Sequence, residues 1–109
     1  MSWVTDVLLC VNLEEKIDED SNLSESCEAL DNIKSWLEQH EMGKLDNLSK
    51  HVVSGGKAMQ CCVYGGAFDH LAITEFIAIV KAQQWKMPES LMLLTKDEEQ
   101  EEFSIHYIR

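Results

Sequence analysis

Between Gln60 and Leu71 the chain reads Q-C-C-V-Y-G-G-A-F-D-H-L, which brings two thiols, a glycine pair, a carboxylate and an imidazole close together. Three chemistries use such groups. Cys61 or Cys62, with His70 and Asp69, supplies the nucleophile, base and orienting carboxylate of a thiol hydrolase. The same thiols and imidazole are ligands for zinc. Gly65-Gly66, leading from a strand toward a helix, could present backbone N–H groups to an anion.

Each reading meets a physical objection. Adjacent residues of a strand point to opposite faces, so Cys61 and Cys62 cannot both reach one ion. No C-x-x-C or H-x-x-x-H spacing occurs, and His40, His51 and His106 are scattered. The glycine pair lacks the Lys-Ser/Thr of a phosphate loop, and Asp69 would itself occupy the anion's place. A catalytic thiol needs an electropositive setting, whereas these two lie in an apolar run of an acidic chain. Asp69 and His70 are neighbours in sequence, which creates no triad geometry. The stretch therefore reads as punctuation: the glycines end a strand, Asp69 or Thr74 caps a helix, and Phe68 and Leu71 dock it. A small ligand-binding or enzymatic site at the Gly65–His70 turn is the alternative. Asp18-x-Asp20-x-Asn22 imitates the start of an EF-hand, but Leu23 stands where that loop needs Gly and Ala29 where it needs Glu. No catalytic, cofactor-binding or metal-ligating residue is assigned, and no cofactor is expected.

The elements that position these groups follow from periodicity. Trp3–Leu13 is a near-continuous apolar run with β-branched residues, which predicts a central strand buried on both faces. Leu23, Cys27, Leu30, Ile33 and Leu37 recur at helical spacing and predict a first helix. Asn22 with Glu25 resembles a capping box for it, and Gly43 is placed to end it. Residues 44–57 are ambiguous between strand and helical turn, with Ser54-Gly55-Gly56 as a turn. Ala58–Tyr64 predicts a strand stopped by Gly65-Gly66. Ile73, Phe76, Ile77, Val80 and Gln84 predict a second helix, closed by Trp85 and Pro88. Ser90–Lys96 and Phe103–Ile108 predict an antiparallel pair joined by the acidic loop Asp97–Glu102. In the last strand, Phe103, Ile105 and Tyr107 alternate with Ser104, His106 and Ile108, which predicts one wetter face.

The expected fold is α+β, a two-layer sandwich of order βαβαββ. Two helices pack on one face of a mixed sheet of about four strands, with at least one parallel pair made by a helical crossover. The other sheet face is left to water, a second copy or a partner. Residues 1–109 read as a single domain.

The charge balance sets the class of partner. Nine Lys+Arg against 20 Asp+Glu gives a net charge of −11, which repels nucleic acid and anionic membrane. Eight carboxylates crowd Glu14–Asp31 and five more Asp97–Glu102, a concentration beyond what solubility requires. The opening residues have no basic n-region and carry Asp6, so they do not read as a signal peptide. A cytoplasmic chain with free thiols is expected. Trp3, Trp36 and Trp85 flank elements and suit either plugging of core ends or anchoring of an interface.

The segments Y-G-G-A-F-D-H-L and W-K-M-P-E-S-L, with the acidic turn before the last strand, resemble small uncharacterised bacterial proteins. In size and charge the chain is similar to the immunity proteins of bacterial toxin systems. That similarity implies a non-enzymatic inhibitor of a basic toxin, for example a nuclease. The expected contacts are Glu19, Asp20, Trp36, Phe68, Trp85, Glu98 and Glu99. A homodimer joined through the open sheet face is a further possibility.

Overall fold

The computed structural model describes residues 3–24, 26–48, 53–54, 57–58 and 61–108, with 53–54 and 57–58 as backbone only. Strand β1 (Val4–Asn12) leads through a 3-10 turn (Leu13–Lys16) to helix α1 (Glu28–Gln39). Two-residue strands β2 (Asp46–Asn47), β3 (Val53–Ser54) and β4 (Lys57–Ala58) precede the long β5 (Cys61–Asp69). Helix α2 (Ile73–Ala82), a second 3-10 turn (Pro88–Ser90) and strands β6 (Met92–Asp97) and β7 (Ser104–Tyr107) complete it.

The main sheet has five strands in the order β2-β5-β1-β6-β7, so β1 is central, and β3-β4 form a separate hairpin. The α+β class and the two helices on one face hold. The mixed sheet does not, because every strand pair is antiparallel. The reason lies in strand order. β5 and β6, joined by the α2 crossover, do run parallel to one another, but β1 is inserted between them and pairs antiparallel with both.

Register and pleat sort the side chains into two sets. Val7, Leu9 and Val11 of β1 lie on the face that also carries Cys62, Tyr64 and Phe68 of β5 and Leu93 of β6. Leu30, Ile33 and Leu37 from α1 and Phe76 and Val80 from α2 close over them, forming one buried cluster. The Asn32 side chain donates to Gln83 Oε1 at 2.9 Å and ties the two helices together.

Several element ends differ from the sequence reading. Helix α1 begins at Glu28, with Cys27 as N-cap, because the preceding loop closes on itself. Asp18 Oδ1 accepts the N–H groups of Asp20 and Asn22, and Leu23 pairs with Ile17 instead of joining the apolar stripe. Asn22 is thus engaged elsewhere, and Glu25, its partner in the expected capping box, lies outside the described residues. At the other end Glu41, with φ 55°, takes the left-handed C′ position expected of Gly43, which lies two residues further on with φ 101°. Met42 N–H donates to the Leu37 carbonyl and Glu41 N–H to that of Glu38, which meets two otherwise orphaned acceptors.

Gly65-Gly66 does not stop β5, which runs on to Asp69. Gly66 stands on the inner face, where an added Cβ would come within 2.7 Å of the Phe68 ring and 3.0 Å of the Lys44 carbonyl. Here the missing side chain makes room for packing and does not punctuate the chain. Helix α2 has no side-chain cap from Asp69 or Thr74 and ends at Ala82. Beyond it, Gln83 Nε2 donates to the Ile79 carbonyl and Trp85 Nε1 to that of Val80. Gly55 and Gly56 of the expected turn, and Met59 and Gln60 of the expected strand, lie outside the described residues.

Candidate functional site

The groups of the opening stretch are not brought together. Cys62 points inward and Cys61 outward, while His70 lies past the far end of β5. Seven strand steps separate Cys62 from Asp69, roughly 23 Å at the usual rise. Asp69 Oδ1 accepts the Trp3 N–H at 2.8 Å and lies 2.9 Å from His70 Nδ1, and His70 N–H donates to the Trp3 carbonyl. Asp69 and His70 therefore fasten the start of β1 to the end of β5. His70, at φ 57°, turns the chain toward α2.

Cys62 belongs to a buried polar cluster at the opposite end. Lys16 Nζ lies 3.7 Å from Cys62 Sγ and 5.7 Å from the Tyr64 ring centre, and Lys34 approaches the same ring at 5.4 Å. Burial acts to lower the Lys16 pKa, but the adjoining Tyr64 and Cys62 outweigh it and raise the value. The Tyr64 hydroxyl feels the ammonium at close range without an aligned hydrogen bond, and burial raises its own pKa. Burial also pushes the Cys27 thiol up, with the Glu15 and Asp31 carboxylates adding to the rise against the pull of the Leu30 and Ala29 N–H groups. Both thiols are packing groups, Cys62 within the core and Cys27 against its edge. Beside them the buried Glu15 carboxylate accepts the N–H groups of Lys86 at 2.8 Å and Met87 at 2.6 Å, closing the end of the core.

The seven expected contact residues do not share a surface. Phe68 is 1% exposed and is a core residue, because its register partner Thr5 faces the helices. Trp36 stacks on His40 with ring centroids 4.1 Å apart, and Trp85 closes α2, so both lie in the helical layer. Glu19 and Asp20 occupy the tip of the loop that follows β1. Glu98 and Glu99 sit in the β6–β7 turn beside the start of β1, where Glu98 Oε1 accepts the Val4 N–H at 2.7 Å. The eight steps from Val4 to Asn12 span roughly 26 Å, with one acidic group beyond each end of the strand.

Between those ends lies the open sheet face, whose apolar character residue-by-residue reading missed. The outer face of the sheet carries Leu8 and Cys10 from β1, Val63 from β5, Met92 and Leu94 from β6, and Ile105 and Tyr107 from β7. Among the described residues no helix packs on it. Ile105 is 51% and Tyr107 53% exposed, and Leu48, beside Gly65 on the same face, is 45% exposed. The wetter face of β7 is the one that carries Ile105 and Tyr107. Leu93 and Thr95 face the helices, so their partners His106 and Ser104 must do so too, and the apolar set turns outward. Thr95 Oγ1 and His106 Nε2 are joined by a 2.9 Å hydrogen bond on the inner side. The signal was present in Trp3–Leu13, whose apolar residues occupy both phases of the pleat.

A depression of about 680 Å³ beside the end of α1 mixes Lys34 and Lys44 with Glu38, Glu41 and Asp46. Among the described residues no group of three His, Cys, Asp or Glu is placed to hold a metal ion, and no helix is long and apolar enough to cross a membrane. No family model matches this chain, nor does any curated protein or solved structure.

Proposed function

We propose that this chain is a non-enzymatic binding module that captures a basic protein partner on the outer face of its sheet. Its action in the cytoplasm would be that of an immunity protein occluding a toxin such as a nuclease. The observation that carries this reading is an apolar strand surface that no helix covers among the described residues, bounded at both ends by carboxylates. Contiguous exposed apolar surface with a polar rim is the usual mark of a protein interface. Tyr107 and Ile105 would be its anchors, since large side chains at the centre of such a patch concentrate binding energy. The acidic loops at either end would steer and orient a cationic partner.

Charge also discriminates between occupants. Two copies related by a two-fold axis, laid face to face, would set acidic ends against acidic ends whichever way the strands run. A basic partner meets opposite charge at both. The thiol–imidazole reading of Gly65–His70 has no comparable support, given the separation of its members along β5.

The test begins with affinity capture of basic proteins from the source cell and measures the dissociation constant of the captured partner by calorimetry. Ile105→Lys with Tyr107→Lys should cost at least about 2 kcal/mol, roughly thirty-fold in affinity. Glu98→Lys with Glu99→Lys, and separately Glu19→Lys with Asp20→Lys, should slow association and flatten its salt dependence. Unchanged binding in the apolar double variant would overturn the assignment of this face. A stable dimer that protects Ile105 and Tyr107 from solvent would overturn the choice of occupant.

A further inference from the structure

Three sulfur side chains stand side by side on the outer face. Cys10 of β1 lies directly opposite Met92 of β6, and on its other flank Cys61 of β5 is one diagonal step away, opposite Asn12. Directly opposed side chains on one face of a sheet have Cβ atoms about 4.5–5.5 Å apart, and diagonal neighbours remain within reach of long side chains. All three residues are half-buried, flanked by apolar Leu8, Val63 and Leu94, and so stay open to a small solute without lying free in water.

We propose that Cys10, Cys61 and Met92 form a binding site for a soft monovalent cation, with Cu(I) the physiological candidate. Thiolate and thioether donors select Cu(I), while hard cations prefer oxygen ligands. Two thiols and one thioether across three strands provide a trigonal donor set that does not suit tetrahedral zinc. On binding, each thiol gives up its proton to solvent and each sulfur donates an electron pair to the ion; nothing is oxidised or reduced. The chain's net charge of −11 raises the local concentration of any cation. The site requires no protein partner, and its test is independent of the capture experiment.

The test titrates Cu(I) into the isolated chain under anaerobic conditions, in competition with the chelator bicinchoninate. The wild-type chain should withdraw one Cu(I) per molecule, and Cys10→Ser with Cys61→Ser should abolish that uptake. Met92→Leu, which preserves size and apolarity, should weaken it by at least the roughly tenfold that even an outer-sphere partner contributes. Cys27→Ser with Cys62→Ser, on the inner side, should leave it unchanged. Circular dichroism confirms that each variant is folded. The assignment is overturned if the wild-type chain does not compete, if the Cys10/Cys61 variant retains the ion, or if Met92→Leu binds as tightly as wild type.

Discussion

The two faces of one sheet are built from alternate residues of the same strands, yet they follow different rules. Toward the helices stand Leu9, Leu93, Tyr64 and Phe68, all fully buried. One residue along each strand, Leu8, Leu94, Val63 and Ala67 point the other way and keep contact with solvent. A pleated strand normally advertises such a division by alternating apolar with polar residues. Here both phases are largely apolar, so the difference is created by where the helices go and not by hydrophobicity. The inner face is closed by its packing against the helices, whereas side chains of the outer face keep contact with solvent.

That contrast can be broken at three points. The largest effect is expected within β6, where Leu93→Ala should cost about 2–5 kcal/mol by leaving a cavity under the helices. Leu94→Ala, one residue away, should cost roughly 1 kcal/mol, because its side chain is only half removed from water. Urea denaturation measures both, and equal losses would erase the distinction between the faces. An intermediate effect is expected at the glycine pair. Gly66→Ala drives a methyl toward the Phe68 ring and the Lys44 carbonyl on the inner side and should cost about 1–3 kcal/mol. Gly65→Ala meets chiefly the exposed Leu48 side chain, which can turn away, and should stay within about 1 kcal/mol of wild type. A reversed order would place the tight packing on the outer side.

The smallest effect is a pH dependence on the inner side of β7. Burial and the Lys81 ammonium hold the His106 imidazole below its ordinary value of 6.5. The unfolded chain then binds the proton before the folded one does. Stability falls as pH drops through about 6.5, and the fall ends only below the folded pKa. Denaturation at successive pH values between neutrality and mild acid should show a steeper acid-side loss for wild type than for His106→Gln. Parallel profiles would mean that His106 is not closed off on that side.

Much of the architecture was legible because it rests on local pattern. The stripe of Leu30, Ile33 and Leu37 announces α1, and the acidic turn between two short apolar runs announces the β6–β7 hairpin. What was not legible depends on partners distant in sequence. Gly66 looks like a strand breaker until the Phe68 ring is seen to fill the space beneath it. Leu23 fits a helical stripe, but the Asp18 side chain closes a tighter loop around it. The acidic clusters are plain in the sequence, whereas their placement at opposite ends of β1 follows from pairings that no local spacing encodes. The open face was expected, but its apolar character stayed hidden for a similar reason. An apolar run reads equally as a strand buried on both sides or as one with a side waiting for a partner.

The central place of β1 also dictates how the native sheet can be assembled. Its neighbours are drawn from remote parts of the chain: Asn12 meets Cys61, and Thr5 meets Asp97. Each pairing closes a long loop before any contact repays the lost entropy, which makes for slow acquisition of structure. On a ribosome, Val4–Asn12 would remain an unpaired apolar ribbon until Cys61–Asp69 had been synthesised, and would keep one edge open until Met92–Asp97 followed. During that interval the nascent polypeptide depends on its abundant negative charge, or on a chaperone, to keep that ribbon from aggregating.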